Sequence, residues 1–207
     1  MTVTALTRIK GHLVRVSFSN GKSILLDAGL CAEKCIHEGD GLTEEKIEEY
    51  VLESDYLRAK SRALWLLDRY NYSERRLFEK LKQAGFSHEA SARTLARLKE
   101  LGVIDDTSLA LSYAGELSRR GVSKREAYGK LYAKGFCADT VKRALEDAGF
   151  DETAQIKQLL DGKYKAKITA GDTEKVYAAL VRKGFSFSAV RNALKEYVSE
   201  LEYIGDM

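Results

Sequence analysis

Along the last three quarters of the chain, apolar positions recur at helical spacing, and the pattern occurs three times. Aligning Ser73, Ser123 and Asp172 gives a period of 50 and then 49 residues. Eight positions beyond each lies a leucine (Leu81, Leu131, Leu180), and four further on a glycine (Gly85, Gly135, Gly184) followed at once by a phenylalanine (Phe86, Phe136, Phe185). Nine positions later another leucine closes the pattern (Leu95, Leu145, Leu194). Serine and aspartate accept hydrogen bonds from the free amides of a helix start, so Ser73, Ser123 and Asp172 are read as N-caps. The apolar set that follows, such as Leu77, Phe78 and Leu81 or Val176, Tyr177 and Leu180, forms one buried stripe. Each glycine then ends the helix, because it takes the left-handed conformation at C′ without a Cβ penalty.

A second helix follows each phenylalanine, carrying Ser91, Leu95 and Leu98, then Val141, Leu145 and Ala148, then Val190, Leu194 and Tyr197. A further helix precedes each pair: Ala59, Ala63, Leu66, Leu67 and Tyr70 keep the helical period, as do Leu109, Tyr113 and Leu117, and Ile156, Leu159 and Leu160. Each module is therefore three helices in about 50 residues, a period too long for tetratricopeptide or ankyrin repeats. Modules of this kind are expected to stack in tandem into a curved, elongated body.

The first 30 residues follow another rule. Leu6 to Phe18 alternates in part, and Ser19, Asn20, Gly21 and Lys22 form a turn signal before Ser23, Ile24, Leu25 and Leu26, which predicts a small β-hairpin. An acidic helix from Thr43 to about Asp55, packing through Leu42, Ile47, Tyr50 and Val51, should link it to the first module. The expected fold is mainly α: an extension over 1–57, three-helix modules over 58–104, 105–150 and 151–207, and an acidic tail.

Composition supports the helices, since proline is absent and 31% of residues are charged. No 18-residue apolar run and no signal-peptide core are present, so a soluble, cytoplasmic protein with no membrane partner is expected. Three cysteines are an odd set that argues against a disulfide framework. Cys31, Cys35 and His37 lie close together, but their spacing matches no zinc pattern and no second cluster supplies a fourth ligand.

Net charge is only +3, yet it is segregated. Residues 31–57 hold two basic and nine acidic side chains, whereas 58–99 hold eleven basic and four acidic. Two later basic blocks, 112–143 and 163–195, alternate with acidic stretches. Any one block reads as a solvated helix face, but basic residues recur at equivalent module positions. Arg75 and Arg76, Arg119 and Arg120 with Lys124 and Arg125, and Lys163, Lys165 and Lys167 lie near the caps. Lys82, Lys134, Arg182 and Lys183 surround the glycines, and Lys142, Arg143 and Arg191 lie farther on. Repetition of this kind points to a surface for an anionic partner.

Chemistry is harder to find. No Gly-rich phosphate loop, His-Glu-x-x-His sequence or Gly-x-Ser-x-Gly elbow occurs, and His12, His37 and His88 stand in separate segments. Asp105 and Asp106 read as caps of the helix near Thr107 rather than as a metal pair. Trp65, Tyr113, Tyr128 and Tyr177 are expected in cores, while Tyr70, Tyr72 and Tyr132 remain open as stacking surfaces. Absence of these motifs weakens an enzyme reading, and no metal site is expected.

Residues 58 to about 196 resemble the RecX family, small bacterial regulators of the RecA recombinase. The resemblance rests on Leu131, Lys134 and Gly135, on Leu180, Lys183 and Gly184, and on the run Leu101, Gly102, Val103, Ile104, Asp105, Asp106 with Ala110 and Tyr113. The first repeat departs with Ala84 in place of the lysine, and Leu109 stands where an aromatic is common. The resemblance implies modules lying in the groove of the RecA filament on single-stranded or duplex DNA. It implies inhibition of the recombinase's ATPase and strand exchange in homologous recombination, DNA repair and the SOS response. It also implies no catalytic residue and no required cofactor. A second reading is a stand-alone DNA-binding protein that places one helix per module in the major groove. A nuclease using Asp105 and Asp106 is a distant third.

Overall fold

The computed structural model describes residues 1–205; the last two positions of the expected acidic tail lie outside them. The chain divides into two compact units, Met1–Ile104 and a second beginning at Asp105.

The first unit opens with three antiparallel strands rather than a hairpin: β1 (Val3–Arg8), β2 (Leu13–Phe18) and β3 (Ser23–Asp27), in the order β1-β2-β3. What read as one alternating run from Leu6 to Phe18 is broken at Gly11, where φ is +67° and Ile9 N–H donates to the Leu13 carbonyl. The expected turn at Ser19–Lys22 is present, with Phe18 N–H donating to the Lys22 carbonyl. Register sets Leu6 opposite Val16 and Val16 opposite Ile24 on one face, and sets Thr7, Arg15 and Leu25 side by side on the other. Alternation therefore sorts the two faces, and the apolar one builds a core of Val3, Val16, Phe18, Leu26, Cys31, Ile36, Leu42 and Ile47.

After a short helix α1 (Ala28–Glu33), Thr43 caps α2 (Glu44–Leu67), which runs unbroken for 24 residues. The acidic segment is thus not a separate linker helix. It is the front half of the first module's first helix, and position 57/58 falls inside it. The front half covers the sheet, with Ile47 in the sheet core and Ser54 Oγ accepting from Asp27 N–H at 2.7 Å. The rear half supplies Ala63 and Leu66 to a core shared with α3 (Glu74–Gln83) and α4 (His88–Glu100), through Leu77, Leu81, Leu95, Leu98 and Ile104.

The second unit holds α5 (Asp106–Arg119), α6 (Lys124–Ala133) and α7 (Ala138–Asp147), closed around Ala110, Ala114, Ala127, Leu131, Phe136, Val141, Ala144 and Leu145. Next come α8 (Glu152–Leu159), a π-helical turn (Leu160–Tyr164), α9 (Lys165–Thr169), α10 (Thr173–Lys183) and α11 (Phe187–Gly205). The π turn has a cause in the sequence. The buried residues Ile156, Leu160, Tyr164 and Ile168 are spaced by four, and at 3.6 residues per turn such a row drifts by about 40° per step. One wider turn swings the row back toward the core that Val176, Leu180, Phe185, Val190 and Leu194 complete.

Local rules account for most helix ends. Ser73 accepts from Arg76 N–H, Ser123 from Glu126 N–H, and Asp105 from Thr107 and Ser108 N–H. Asp172 does not cap: its ψ is 36°, no helix amide reaches its side chain, and the carboxylate pairs instead with Lys175 Nζ at 2.7 Å. All three module glycines are left-handed as expected, with φ of +90°, +95° and +100° at Gly85, Gly135 and Gly184. Among the described residues no helix is long and apolar enough to cross a membrane.

Candidate partner-binding surface

In the first module the basic residues are largely neutralised. Arg75 and Arg76 both reach Glu79, at 3.2 and 2.8 Å. The Arg76 bond is the main reason that the Glu79 carboxyl is held below the usual carboxylate range. Lys82 turns its ammonium to the Phe86 carbonyl at 3.1 Å, tying the helix end to the turn.

The second module exposes more free charge. Arg120 pairs with Glu116 at 3.2 Å, but Arg119, Lys124, Arg125, Lys142 and Arg143 stand exposed. Lys134 is folded over the Tyr113 ring, 4.1 Å from its centre, a cation–π contact. In the third module Lys163 lies 5.7 Å from the Tyr164 ring centre, and Lys165 and Lys167 are exposed. Arg182 Nε donates to the Ala178 carbonyl of its own helix, and exposed Arg191 lines a groove with Tyr177, Leu194 and Val198.

Lys134 and Lys183 share a sequence position but not an environment. Lys183 is half-buried, and its carbonyl accepts a hydrogen bond from Ser123 Oγ, the N-cap of the preceding module. Arg125, Arg182 and Lys183 consequently line one cleft between the second and third modules, together with Glu126 and Ala179. Of the sixteen basic residues singled out from the sequence, these three are drawn into one such cleft, while most of the others face solvent or local partners.

Three arrangements escaped sequence reasoning. Trp65 is 45% exposed rather than core, with the guanidiniums of Arg62 and Arg69 at 4.2 and 3.9 Å from its ring centre. The i−3 and i+4 spacing around the indole was its only sequence signal. Among the tyrosines left open, Tyr70 and Tyr132 are 65% and 52% exposed, and Tyr132 stacks on half-buried Tyr128. Second, the N-cap serine of a module's last helix is held by an acid from its first. Ser87 N–H and Oγ donate to Asp55 Oδ2 at 3.0 and 2.6 Å, and Ser186 donates likewise to both carboxylate oxygens of Glu152. Third, the second module puts Cys137 at that cap, with its thiol 3.1 Å from Thr140 Oγ1. The Thr140 hydroxyl is the main cause of a thiol pKa below its ordinary value. Asp105 is a cap, held below the ordinary carboxyl range chiefly by the Ser108 hydroxyl at 2.6 Å. Cys31 is buried whereas Cys35 is exposed.

The fold and this surface define a tandem three-helix-module protein with basic residues spread over its helices. Comparison with known proteins gives the family. A model of the first three-helix domain of RecX matches residues 59–98. A Regulatory protein RecX from Prosthecochloris aestuarii is 31% identical over 154 residues, covering 71% of this chain and 98% of that protein. One from Chlorobium phaeobacteroides is 30% identical over 149 residues, covering 70% and 96%. A solved structure of a regulatory protein RecX superposes with a TM-score of 0.68 over 94% of this chain and 98% of that one, at 21% identity, a likeness of fold. The chain belongs to the RecX family.

Proposed function

We propose that this chain regulates the RecA recombinase by binding, acting in recombination and DNA repair as an inhibitor of its ATPase and strand exchange. The modules lie in the groove of the RecA–DNA filament, and the chain neither catalyses a reaction nor requires a cofactor. The observation that carries this reading is membership in a family whose relatives, matched over nearly their whole length, are named regulatory proteins. Linked modules suit a helical polymer, because each added weak contact acts at high effective concentration. Their exposed basic residues, Arg119, Lys124, Arg125, Lys142, Arg143, Lys165, Lys167, Arg182 and Arg191, offer positive charge to the filament's anionic groups.

The test is the rate of ATP hydrolysis by RecA on single-stranded DNA with increasing amounts of the purified chain. A concentration-dependent fall is expected, together with co-sedimentation with assembled filaments. If the chain leaves RecA unaffected and binds duplex DNA tightly by itself, with affinity falling steeply in salt, it is a stand-alone DNA-binding protein and the proposal fails.

A further inference from the structure

We infer that the cleft between the second and third modules is a phosphate-binding site, and that its ligand is the backbone of a nucleic acid. This deepens the proposed function by naming what one part of the basic surface holds, and it rests on that reading.

Arg125 enters the cleft from α6, and Arg182 and Lys183 from the end of α10, a sequence separation of 58 residues between the last of these and the first. Among the described residues none of the three has a carboxylate within ion-pair distance, although basic residues elsewhere among them, such as Arg93, Lys99 and Lys157, are paired with acids. The one acid lining the cleft, Glu126, is engaged by Lys130 at 2.8 Å on its own helix. Three basic residues therefore line one cleft whose single carboxylate is already engaged. The cleft carries uncompensated positive charge, and it gains when an anion joins it.

The site is also braced. Ser123 Oγ donates to the Lys183 carbonyl, and Gln155, only 5% exposed, donates from Nε2 to the Ser118 carbonyl and hydroxyl at 3.2 Å. Gly184 makes the approach possible: a Cβ there would stand 2.8 Å from Ser123 Oγ and 2.9 Å from Arg125 Nε. The two modules are thus joined at two points, and the cations are presented from a fixed frame. A phosphodiester is the matching ligand, because guanidinium donors fork onto two phosphate oxygens while the ammonium supplies a point charge. A cluster of acidic side chains on a protein is the competing ligand, and it is an outcome of the test.

The experiment uses the full chain with Arg125→Gln, Arg182→Gln and Lys183→Gln together. Its control removes equal charge from the same unit by Lys157→Gln, Lys175→Gln and Lys195→Gln. Fluorescence anisotropy on a labelled oligothymidine across a salt series reads affinity and slope, and a labelled polyglutamate peptide gives the acidic-protein arm. The Ser123 bond uses a backbone carbonyl, so the triple variant should melt as the parent does; if it does not, Arg125→Gln alone replaces it, with Arg125→Lys as the charge-keeping partner. The cleft variant should bind oligothymidine roughly tenfold more weakly, with a salt slope shallower by about 0.7 for each phosphate that it no longer neutralises, while the control changes far less. Oligothymidine binding equal to the parent's overturns the inference, as does loss confined to polyglutamate. A parent that slows RecA yet never binds oligothymidine sinks this site and leaves the proposed function standing; cleft-dependent DNA binding without any effect on RecA does the reverse.

Discussion

The turn after the second helix of each module occurs three times with nearly the same letters, and the first copy differs from the third. At Gly85 a Cβ would meet nothing within 4 Å, so glycine is needed there only for its left-handed φ. At Gly184 the same φ is combined with the close approach of Ser123 and Arg125. One motif thus does a local job in the first copy and a tertiary job in the third. The repeat preserves the turn's conformation, while its neighbours decide whether the turn is also a joint.

The sharpest way to break this contrast is to add one methyl group. Gly85→Ala should cost about 1 kcal/mol for forcing an L-residue into the left-handed region. Gly184→Ala should cost about 3 kcal/mol, because overpacking against Ser123 and Arg125 adds to the same backbone penalty. Urea unfolding monitored by circular dichroism reads both. Equal losses would mean that the joint contributes nothing.

A second contrast is the clamp on the last helix of each module, present at Ser87 and Ser186 and replaced by a thiol at Cys137. Asp55→Ala should cost about 1.5 kcal/mol, since it strands two donors of Ser87 that are bonded to a partly buried carboxylate. Cys137→Ser should do the opposite and stabilise by about 0.5 kcal/mol, giving α7 the side-chain cap bond that it lacks. A loss of stability in that variant would show that the thiol's contact with Thr140 matters more than the cap.

Smaller effects follow from titration. The Asp105 carboxyl is lowered in the folded state by its bonds to Ser108 and Thr107, so its capping contribution is complete above the unfolded carboxyl pKa, roughly 4, and is lost as pH falls through the lower folded value. The melting-temperature gap between the parent and Asp105→Ala should therefore be constant near neutrality and close in acid. A gap that widens in acid would contradict this assignment. Burial, aided by the charge of Asp27, raises the Cys31 thiol pKa, whereas the Thr140 hydroxyl lowers that of exposed Cys137. Alkylation by iodoacetamide at mildly alkaline pH, followed by peptide mass mapping, should label Cys137 well before Cys31. Labelling in the reverse order would place Cys31 at the surface.

What could be read from the sequence was what nearest neighbours along the chain determine. Ser73, Ser123 and Asp105 cap helices because the amides that they bond lie two or three residues away. Gly85, Gly135 and Gly184 end helices through their own φ, and Leu77, Leu81, Leu95 and Leu98 declare a core by their spacing alone. The same periodicity misled where two elements abut: Ile9 to His12 hides a turn inside an alternating run, and the acidic residues before 57 continue one helix into the module behind them. Asp172 failed as a cap because Lys175, one turn on, offered a charge that competes with the helix amides. For the basic residues the sequence by itself determined their number and repeat position. The pairing of Arg75 and Arg76 with Glu79 is local, three and four residues along one helix, but only the tertiary structure decided which lies over Tyr113 and that Arg125 shares a cleft with Arg182 and Lys183. The reason is physical: a side chain's charge is fixed by its chemistry, but its availability depends on partners tens of residues away along the chain, and no local period encodes them.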